Sequence, residues 1–363
     1  MTGGHFITGD YMVGLLSFQR VLNYGGQLQN YALYKTIAEY TECRVIDYIS
    51  EVGRGNFPIE HPKCIKELLK KIFLNKSRII KQKKFEAFRR KNIFYSEEFT
   101  KQSIQQSNDL FDTFIVGSDQ TWNIDIIESD YSYFLDFVDD RNSRYAYAVS
   151  FGYENPHGDI NIQKRLLSRF NGITVREETG ARIVEEITGK KPEVTVDPTF
   201  FLKSSEWDIV SSRRLIDNPY VFVYIIDETV KNISTIKKYA KRNNLQIIYL
   251  TEKITVIPGI TQIRDCGPED FISYIKHAEC VFTGSFHGVC FSLIYHKKFY
   301  YILNENGLTS RLQNILEVVD ADYNVIDKCN KCSYKEIDYK RVDEIINESR
   351  RRSLEVLRSF VIE

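Results

Sequence analysis

The chain alternates short apolar runs, rich in β-branched residues, with segments of helical spacing, and it does so in two separate series. The first series contains the apolar runs Met12–Phe18 and Arg44–Tyr48 around a helical segment at Gln27–Tyr40, and the second opens with Tyr220–Ile226 and Val230–Arg242. Apolar runs without polar alternation are typical of strands buried on both faces, which pair in parallel when helices connect them. The pattern therefore predicts an α/β protein with two Rossmann-like parallel-sheet domains that face one another across a cleft.

The length of 363 residues also fits two domains of ordinary size. We expect an N-terminal domain over 1–200 and a C-terminal domain over 201–363 that ends in a charged helix. A stretch at about 50–110 interrupts the first alternation, and we predict a basic helical insertion there.

Composition excludes several classes of protein. The 49 basic and 49 acidic side chains cancel, which argues against a nucleic-acid binder that relies on overall charge. No apolar run approaches the roughly 20 residues of a membrane span, and the N-terminus lacks the pattern of a secretory signal. Seven cysteines without framework spacing favour a reducing cytoplasm. Cys329-x-x-Cys332 has no second pair at zinc spacing, so we predict no metal and no cofactor.

The most uneven segment is Lys63–Lys91, with twelve Lys and Arg against two Glu, interleaved with apolar residues. Basic amphipathic helices of this kind can lie on an anionic membrane surface. The same pattern also suits a solvated helix whose apolar face packs on its own domain. The sequence leaves both interpretations open.

Polar residues follow several predicted strands, and the carboxyl ends of parallel strands gather at one edge of a sheet. Asn23 and Gln27 flank Tyr24-Gly25-Gly26 after the first strand, and Ser118 and Asp119 follow the third. We expect these four to line one wall of the cleft, although an Asx turn would also explain Ser118 and Asp119.

Arg176 directly follows the predicted strand Gly172–Val175. A guanidinium at this edge suits a phosphate or a carboxylate of a ligand. A salt bridge to Glu177 or Glu178 within the protein is the competing explanation.

The stretch Cys280–Ile294 reads as a strand, a small-residue turn at Thr283-Gly284-Ser285 and a helix that begins with His287 and Gly288 near its start. Free N–H groups and the positive end of the helix dipole favour an anion at such a place. A histidine there suits proton transfer near neutral pH. A core helix that merely contains a histidine is the alternative.

Six segments, taken in order, resemble motifs of the polysaccharide pyruvyl transferase family: Asn23-Tyr24-Gly25-Gly26-Gln27-Leu28-Gln29-Asn30-Tyr31-Ala32-Leu33, Gly117-Ser118-Asp119-Gln120-Thr121-Trp122-Asn123, Ser150-Phe151-Gly152, Val175-Arg176-Glu177, Val196-Asp197-Pro198-Thr199 and Ser285-Phe286-His287-Gly288. The resemblance implies transfer of a pyruvyl (carboxyethylidene) group from phosphoenolpyruvate onto two hydroxyls of a sugar, which gives a ketal. It also implies a GT-B-like fold. The implied partners are phosphoenolpyruvate and a glycan acceptor. A lipid-linked acceptor would give the basic segment a purpose at the inner face of the membrane.

This resemblance makes His287 and Arg176 the expected catalytic residues, with Asn23, Gln27, Ser118 and Asp119 on the acceptor side. The expected donor-binding residues are Ser285, Gly288 and Arg311. Several family members carry an arginine where this chain has Ser285, so a donor phosphate must find another cation. Arg176, Arg311 or a nearby lysine could supply it.

Fold alone does not decide the chemistry. A nucleotide-sugar-dependent GT-B glycosyltransferase is the second hypothesis, and a glycan-binding protein without catalysis is the third. Retaining glycosyltransferases of this fold often carry two glutamates seven residues apart in the second domain, and residues 260–325 contain no such pair.

Overall fold

The computed structural model describes residues 11–50, 65–128, 130–225, 233–253, 255–303, 310–319, 321, 324–326 and 334–362. For residues 65–75, 310, 311, 314 and 318 it describes the backbone alone. The prediction of two parallel-sheet α/β domains is confirmed within these residues.

All strand pairs in both sheets are parallel. The first sheet contains β1 (Met12–Leu16), β2 (Glu42–Ile49), β3 (Tyr95–Thr100), β4 (Thr113–Val116), β5 (Ser143–Val149), β6 (Gly172–Val175) and β7 (Glu193–Val194). The second contains β8 (Tyr220–Tyr224), β9 (Gln246–Leu250), β10 (Thr261–Ile263), β11 (Cys280–Thr283), β12 (Phe299–Ile302) and β13 (Val325–Ile326).

The helices connect these strands or follow them. They are α1 (Tyr24–Ile37), α2 (Ile65–Asn92), α3 (Ile124–Ile127), α4 (Ile160–Leu167), α5 (Glu178–Thr188), α6 (Ser204–Val210), α7 (Ile233–Arg242), α8 (Pro268–Lys276), α9 (Phe286–Ile294), α10 (Ser310–Val318) and α11 (Tyr339–Val361). Short 3-10 helices lie at Ile104–Asp109, Tyr131–Phe134 and Pro198–Phe201.

The strand order gives each sheet one switch point. The first sheet runs β3-β2-β1-β4-β5-β6-β7 and the second β10-β9-β8-β11-β12-β13. In both, the chain builds outward from the first strand and then returns to its other side. A crevice opens beyond the carboxyl ends of the strands where the order reverses, and ligands of such sheets bind there. These crevices lie between β1 and β4 and between β8 and β11.

Two local predictions in the first domain are wrong. The helix expected at Gln27–Tyr40 begins three residues earlier, at Tyr24, so Gly25 and Gly26 lie in its first turn instead of in a loop. The side chain of Asn23 accepts a hydrogen bond from the N–H of Gly26, and this cap offsets the low helix propensity of glycine. The basic helical insertion expected at about 50–110 also contains a strand, β3, which extends the first sheet beyond β2.

The part of α2 whose side chains are described lies between the two domains. Its Phe85 and Phe88 are almost fully buried. Its lysines form ion pairs with acidic residues of the second domain: Lys81 with Glu252 at 2.8 Å, Lys84 with Asp270 at 2.8 Å and Lys91 with Glu269 at 3.1 Å. For residues 76–92, these contacts support the interpretation in which the basic segment is a helix whose apolar face packs on the rest of the protein.

The C-terminal helix α11 returns to the first sheet. The ring of Phe360 stacks on Tyr145 of β5 at 4.5 Å, and Ser353 accepts a hydrogen bond from the N–H of Val196. Helix α11 therefore packs against the first domain. Among the helices that can be described, none is long and apolar enough to cross a bilayer.

Candidate active site

The switch points of the two sheets bring the first turns of α1 and α9 into contact. His287, in the first turn of α9, lies directly against Gly25, in the first turn of α1. A Cβ atom placed on Gly25 would come within 1.9 Å of the imidazole Nδ1. Glycine is therefore required at position 25 for the imidazole to occupy its position, and the two domains meet at this contact.

Tyr24, the residue before Gly25, fixes the seam beside this contact. Its ring stacks on Phe271 of α8 at 4.9 Å, and its hydroxyl donates to the carbonyl of Cys266 at 3.1 Å. Burial raises its pKa, so the phenol stays protonated and keeps donating. Tyr24 is an anchor between the domains.

Three ionisable side chains form a row that crosses the boundary between the domains at His287. Asp197, just before the 3-10 helix Pro198–Phe201, has one carboxylate oxygen, Oδ2, 2.7 Å from Nη1 of Arg176 and 3.5 Å from Nε2 of His287. The second distance is too long for a good hydrogen bond but suits an ion pair. All three side chains are at least nine-tenths buried.

Two further carboxylates surround Arg176. Glu177 Oε2 lies 3.8 Å from its Nε, and Asp119 Oδ1 lies 3.9 Å from Nη2. The nearest carboxylate belongs to Asp197, and Glu178 pairs with Lys191 instead. Within the described structure, Nε and Nη2 of Arg176 and Nε2 of His287 form no hydrogen bond. The salt-bridge interpretation of Arg176 therefore holds for Glu177 and not for Glu178, although two of the buried nitrogens of Arg176 lack a hydrogen bond.

Burial and charge act against one another at this cluster. Burial alone would raise the pKa of the Asp197 carboxyl, but His287 and Arg176 outweigh it and hold that pKa well below its usual range. Burial also acts to lower the pKa of Arg176, and Asp197, Glu177 and Asp119 more than offset it. Asp197 and Arg176 therefore stay ionised across the physiological range.

Asp119 is the carboxylate of this cluster that reaches furthest toward solvent, with 18% of its side chain exposed. Its backbone has φ = 94°, a conformation that a side chain with a Cβ rarely adopts. Its Oδ1 accepts a hydrogen bond from the N–H of Gln120, and a Cβ on Gly26 would lie 3.0 Å from Oδ2. The strained backbone thus aims this carboxylate at the start of α1.

The other predicted residues of the first domain contribute in different ways. Ser118 is buried, and its hydroxyl lies 3.4 Å from Nη1 of Arg176. Its backbone carbonyl accepts a hydrogen bond from the side-chain amide of Gln29. Asn23 is exposed and caps α1. Gln27 is buried, and its side chain lies near the hydroxyl of Tyr95 on β3.

The residues predicted to bind the donor lie at the start of α9. Ser285 is its N-cap, with Oγ 3.5 Å from the N–H of Gly288. Position 288 also needs glycine, because a Cβ there would lie 2.1 Å from Oγ1 of Thr283. Arg311 belongs to the first turn of α10, but its side chain lies outside the described residues.

Sequence reasoning missed the part that Asp197 and Ser150 play, and it considered Glu177 only as a salt-bridge partner of Arg176. Asp197 was noted only as part of a motif, although an acid followed by proline is a signal for a fixed turn. Ser150 donates to Glu177 at 2.6 Å and ties the end of β5 to the Arg176 cluster. In the described part of the chain, no group of three His, Cys, Asp or Glu side chains is arranged to hold a metal ion.

All six of the motif segments, which are spread along the chain from Asn23 to Gly288, meet in this one network. Gly25 contacts His287, and Gly26 lies beside Asp119. Arg176 joins Asp119, Glu177 and Asp197, and Ser150 joins through Glu177. Residues so far apart in sequence thus form one site at the crevice between the domains.

The fold places the chain among two-domain α/β proteins of the GT-B type. UDP-GlcNAc 2-epimerase from Methanocaldococcus jannaschii superposes with a TM-score of 0.52 at 11% identity, over 93% of this chain and 98% of the epimerase. A putative UDP-N-acetylglucosamine 2-epimerase from Listeria monocytogenes gives 0.51 at 9% identity, over 96% and 91%. At these identities the likeness concerns the fold alone.

The sequence assigns the family. The family model for polysaccharide pyruvyl transferase matches residues 23–306, which include every motif segment described above. The chain belongs to the polysaccharide pyruvyl transferase family. No curated protein matches the chain in sequence.

Proposed function

We propose that this chain transfers the carboxyethylidene group of phosphoenolpyruvate onto two hydroxyls of one sugar, in a polysaccharide or in its lipid-linked precursor, and so forms a cyclic ketal. One observation carries the proposal. The six segments that characterise the family converge on a single buried site between the domains, where an imidazole and a guanidinium lie close together.

The reaction needs acid–base help at two steps. In the first, the methylene carbon of phosphoenolpyruvate takes up a proton, C2 gains oxocarbenium character, and a sugar hydroxyl attacks C2 and loses its proton. In the second, another hydroxyl of the same sugar attacks C2, its proton departs, and the C2–O bond to phosphate breaks, which releases inorganic phosphate. A group that both gives and accepts a proton near neutral pH suits both steps.

We assign this acid–base role to His287 because its Nδ1 lies at the crevice beside Gly25. Arg176 would bind the donor through Nε and Nη2, which lack hydrogen bonds, once Glu177 and Asp119 move aside and uncover these buried nitrogens. The start of α9 at Ser285–Gly288 would favour the donor anion through the helix dipole. Asp119 and Asn23, at the more accessible side of α1, would meet the sugar hydroxyls.

Ligand-dependent thermal stability tests the choice of donor. A ligand that binds only the native state at about 100 times its Kd adds about 2.7 kcal/mol to the free energy of unfolding. We expect phosphoenolpyruvate to raise Tm by several degrees and UDP- and GDP-sugars to leave it unchanged, with inorganic phosphate and pyruvate as controls. A rise with a nucleotide sugar and none with phosphoenolpyruvate would support the glycosyltransferase hypothesis instead.

If the acceptor is lipid-linked, the enzyme would work in the cytoplasm at the inner face of the membrane. Lys81, Lys84 and Lys91 already pair with the second domain, so membrane contact would fall on the N-terminal part of the segment 63–91, whose side chains lie outside the described residues. We expect the protein to sediment with vesicles that contain anionic lipid and to detach in high salt. Sedimentation that does not depend on the anionic lipid content of the vesicles would contradict this proposal.

A further inference from the structure

We propose that Asp197 is a positioning residue that fixes the orientation and the tautomer of the His287 imidazole, and that Arg176 holds this carboxylate in place. The kinetic part of this inference rests on the proposed function, because it takes His287 as the acid–base group. The tautomer itself is a property of the protein without substrate.

The carboxylate of Asp197 is held rigidly. Its Oδ1 accepts two hydrogen bonds from Thr199, one from the backbone N–H at 3.0 Å and one from the hydroxyl at 2.8 Å. Pro198 stands at the first position of the 3-10 helix that follows, and the side chain of Asp197 is fully buried. Because Oδ1 is fixed in this way, the position of the second oxygen, Oδ2, is fixed as well.

Oδ2 of Asp197 faces Arg176 and His287. Oδ2 accepts a hydrogen bond from Nη1 of Arg176 at 2.7 Å and lies 3.5 Å from Nε2 of His287. Arg176 cannot lose its proton in a protein, so it keeps the carboxylate anionic. The depressed pKa of Asp197 agrees with this arrangement.

The negative charge of the Asp197 carboxylate attracts an N–H and repels a nitrogen lone pair on the side of the ring that faces it. When the ring of His287 is neutral, this charge favours the proton on Nε2, which faces Asp197, and leaves the lone pair on Nδ1. Nδ1 is the nitrogen that lies beside Gly25 at the crevice. Asp197 therefore presents an unprotonated nitrogen to the substrate, as second-layer carboxylates do for other functional histidines.

Little else orients this ring. Within the described residues, Nε2 of His287 forms no hydrogen bond, and the neighbours of the ring include the edge of Phe286 and the backbone of Gly25. Apolar contacts restrain the plane of the ring but do not choose which nitrogen holds the proton. Asp197 is thus the group in contact with the ring that can make that choice.

Nitrogen NMR of protein labelled at its six histidines tests the inference, with His287→Gln assigning the signal. At a pH where the ring is neutral, we expect a protonated Nε2 and a bare Nδ1 in the native protein. Asp197→Asn should disturb this pattern because an amide can donate as well as accept. Glu177→Gln is the matched control, since it also neutralises a carboxylate near Arg176, at 3.8 Å from Nε; it should leave the pattern unchanged.

Kinetics supply the second readout. Asp197→Asn should lower kcat with phosphoenolpyruvate by about 10²- to 10⁴-fold, the range of general acid–base catalysis, and change the donor KM little. Thr199→Val, which keeps the charge of Asp197 and loses one hydrogen bond to Oδ1, should lower kcat less. If Asp197→Asn does not fold, the native tautomer and Thr199→Val still decide the question.

Two results would overturn the inference: a native ring protonated on Nδ1, or the native tautomer retained in Asp197→Asn. These outcomes are separate from the proposed function. A protein with the expected tautomer and no turnover of phosphoenolpyruvate would uphold Asp197 as the positioning residue and reject the reaction.

Discussion

Replacement of His287 by alanine is expected to lower kcat with phosphoenolpyruvate by about 10²- to 10⁴-fold, because the reaction loses its acid–base group. The fold should survive, since Nε2 of the imidazole forms no hydrogen bond within the described residues and contributes an ion pair to Asp197 at 3.5 Å. Phosphate release measured beside a thermal unfolding curve separates lost chemistry from lost structure.

Arg176→Lys is the companion variant in the same assay. Lysine keeps the positive charge but not the planar set of donors, so we expect a higher donor KM in this variant and a lower kcat in His287→Ala. Turnover by His287→Ala within a few-fold of the native rate, with a normal melting curve, would remove His287 from the mechanism.

Gly25→Ala is expected to cause the second large loss, roughly 10²-fold in kcat, although only a methyl group is added. The new Cβ would lie 1.9 Å from Nδ1 of His287, so either the ring or the domain seam must shift, and a misplacement of about 1 Å can cost this much. Backbone strain is not the cause, because the φ of Gly25 is not positive. The measurement is kcat with phosphoenolpyruvate together with Tm.

Gly284→Ala is the matched control for this substitution. Gly284 lies in the turn before α9, and a Cβ there would meet its nearest atoms, in Ile225 and Ile302, at an ordinary 3.5 Å. We expect this variant to keep most of the activity. Equal losses at both glycines would show that the contact between Gly25 and His287 has no special importance.

Much of the fold could be predicted because strands buried on both faces leave a clear record in the sequence. The apolar runs that gave β1, β4, β8 and β11 have no polar alternation, and the two series of strands and helices follow directly from them. Edge strand β3, Tyr95–Thr100, is half polar and carries two glutamates, so it lacks that signature and was missed.

The start of α1 was misplaced for a different reason. Two successive glycines argue against a helix by propensity, yet the cap by Asn23 and the packing of Tyr24 between the domains outweigh them. Local propensity cannot reveal a tertiary contact such as that between Gly25 and His287. The structure explains these glycines by the space that His287 needs.

The positions of some candidate residues in the fold were predictable, but the network that they form was not. The positions of Arg176 and His287, at the carboxyl end of a strand and at the start of a helix, followed from the strand pattern. The role of Asp197 did not follow from it. One of its partners, Arg176, lies 21 residues away in sequence, and the other, His287, belongs to the other domain. Only the fold shows that one carboxylate serves both.

Identification of the reaction product tests the central claim most directly. The protein is incubated with phosphoenolpyruvate and a panel of free and lipid-linked sugars, and the sugars are analysed by mass spectrometry and NMR. We predict release of inorganic phosphate together with a sugar that carries a carboxyethylidene ketal across two of its hydroxyls, and formation of both products about 10²- to 10⁴-fold more slowly with His287→Ala. Transfer of a sugar from a nucleotide donor, with phosphoenolpyruvate left intact, would contradict the account.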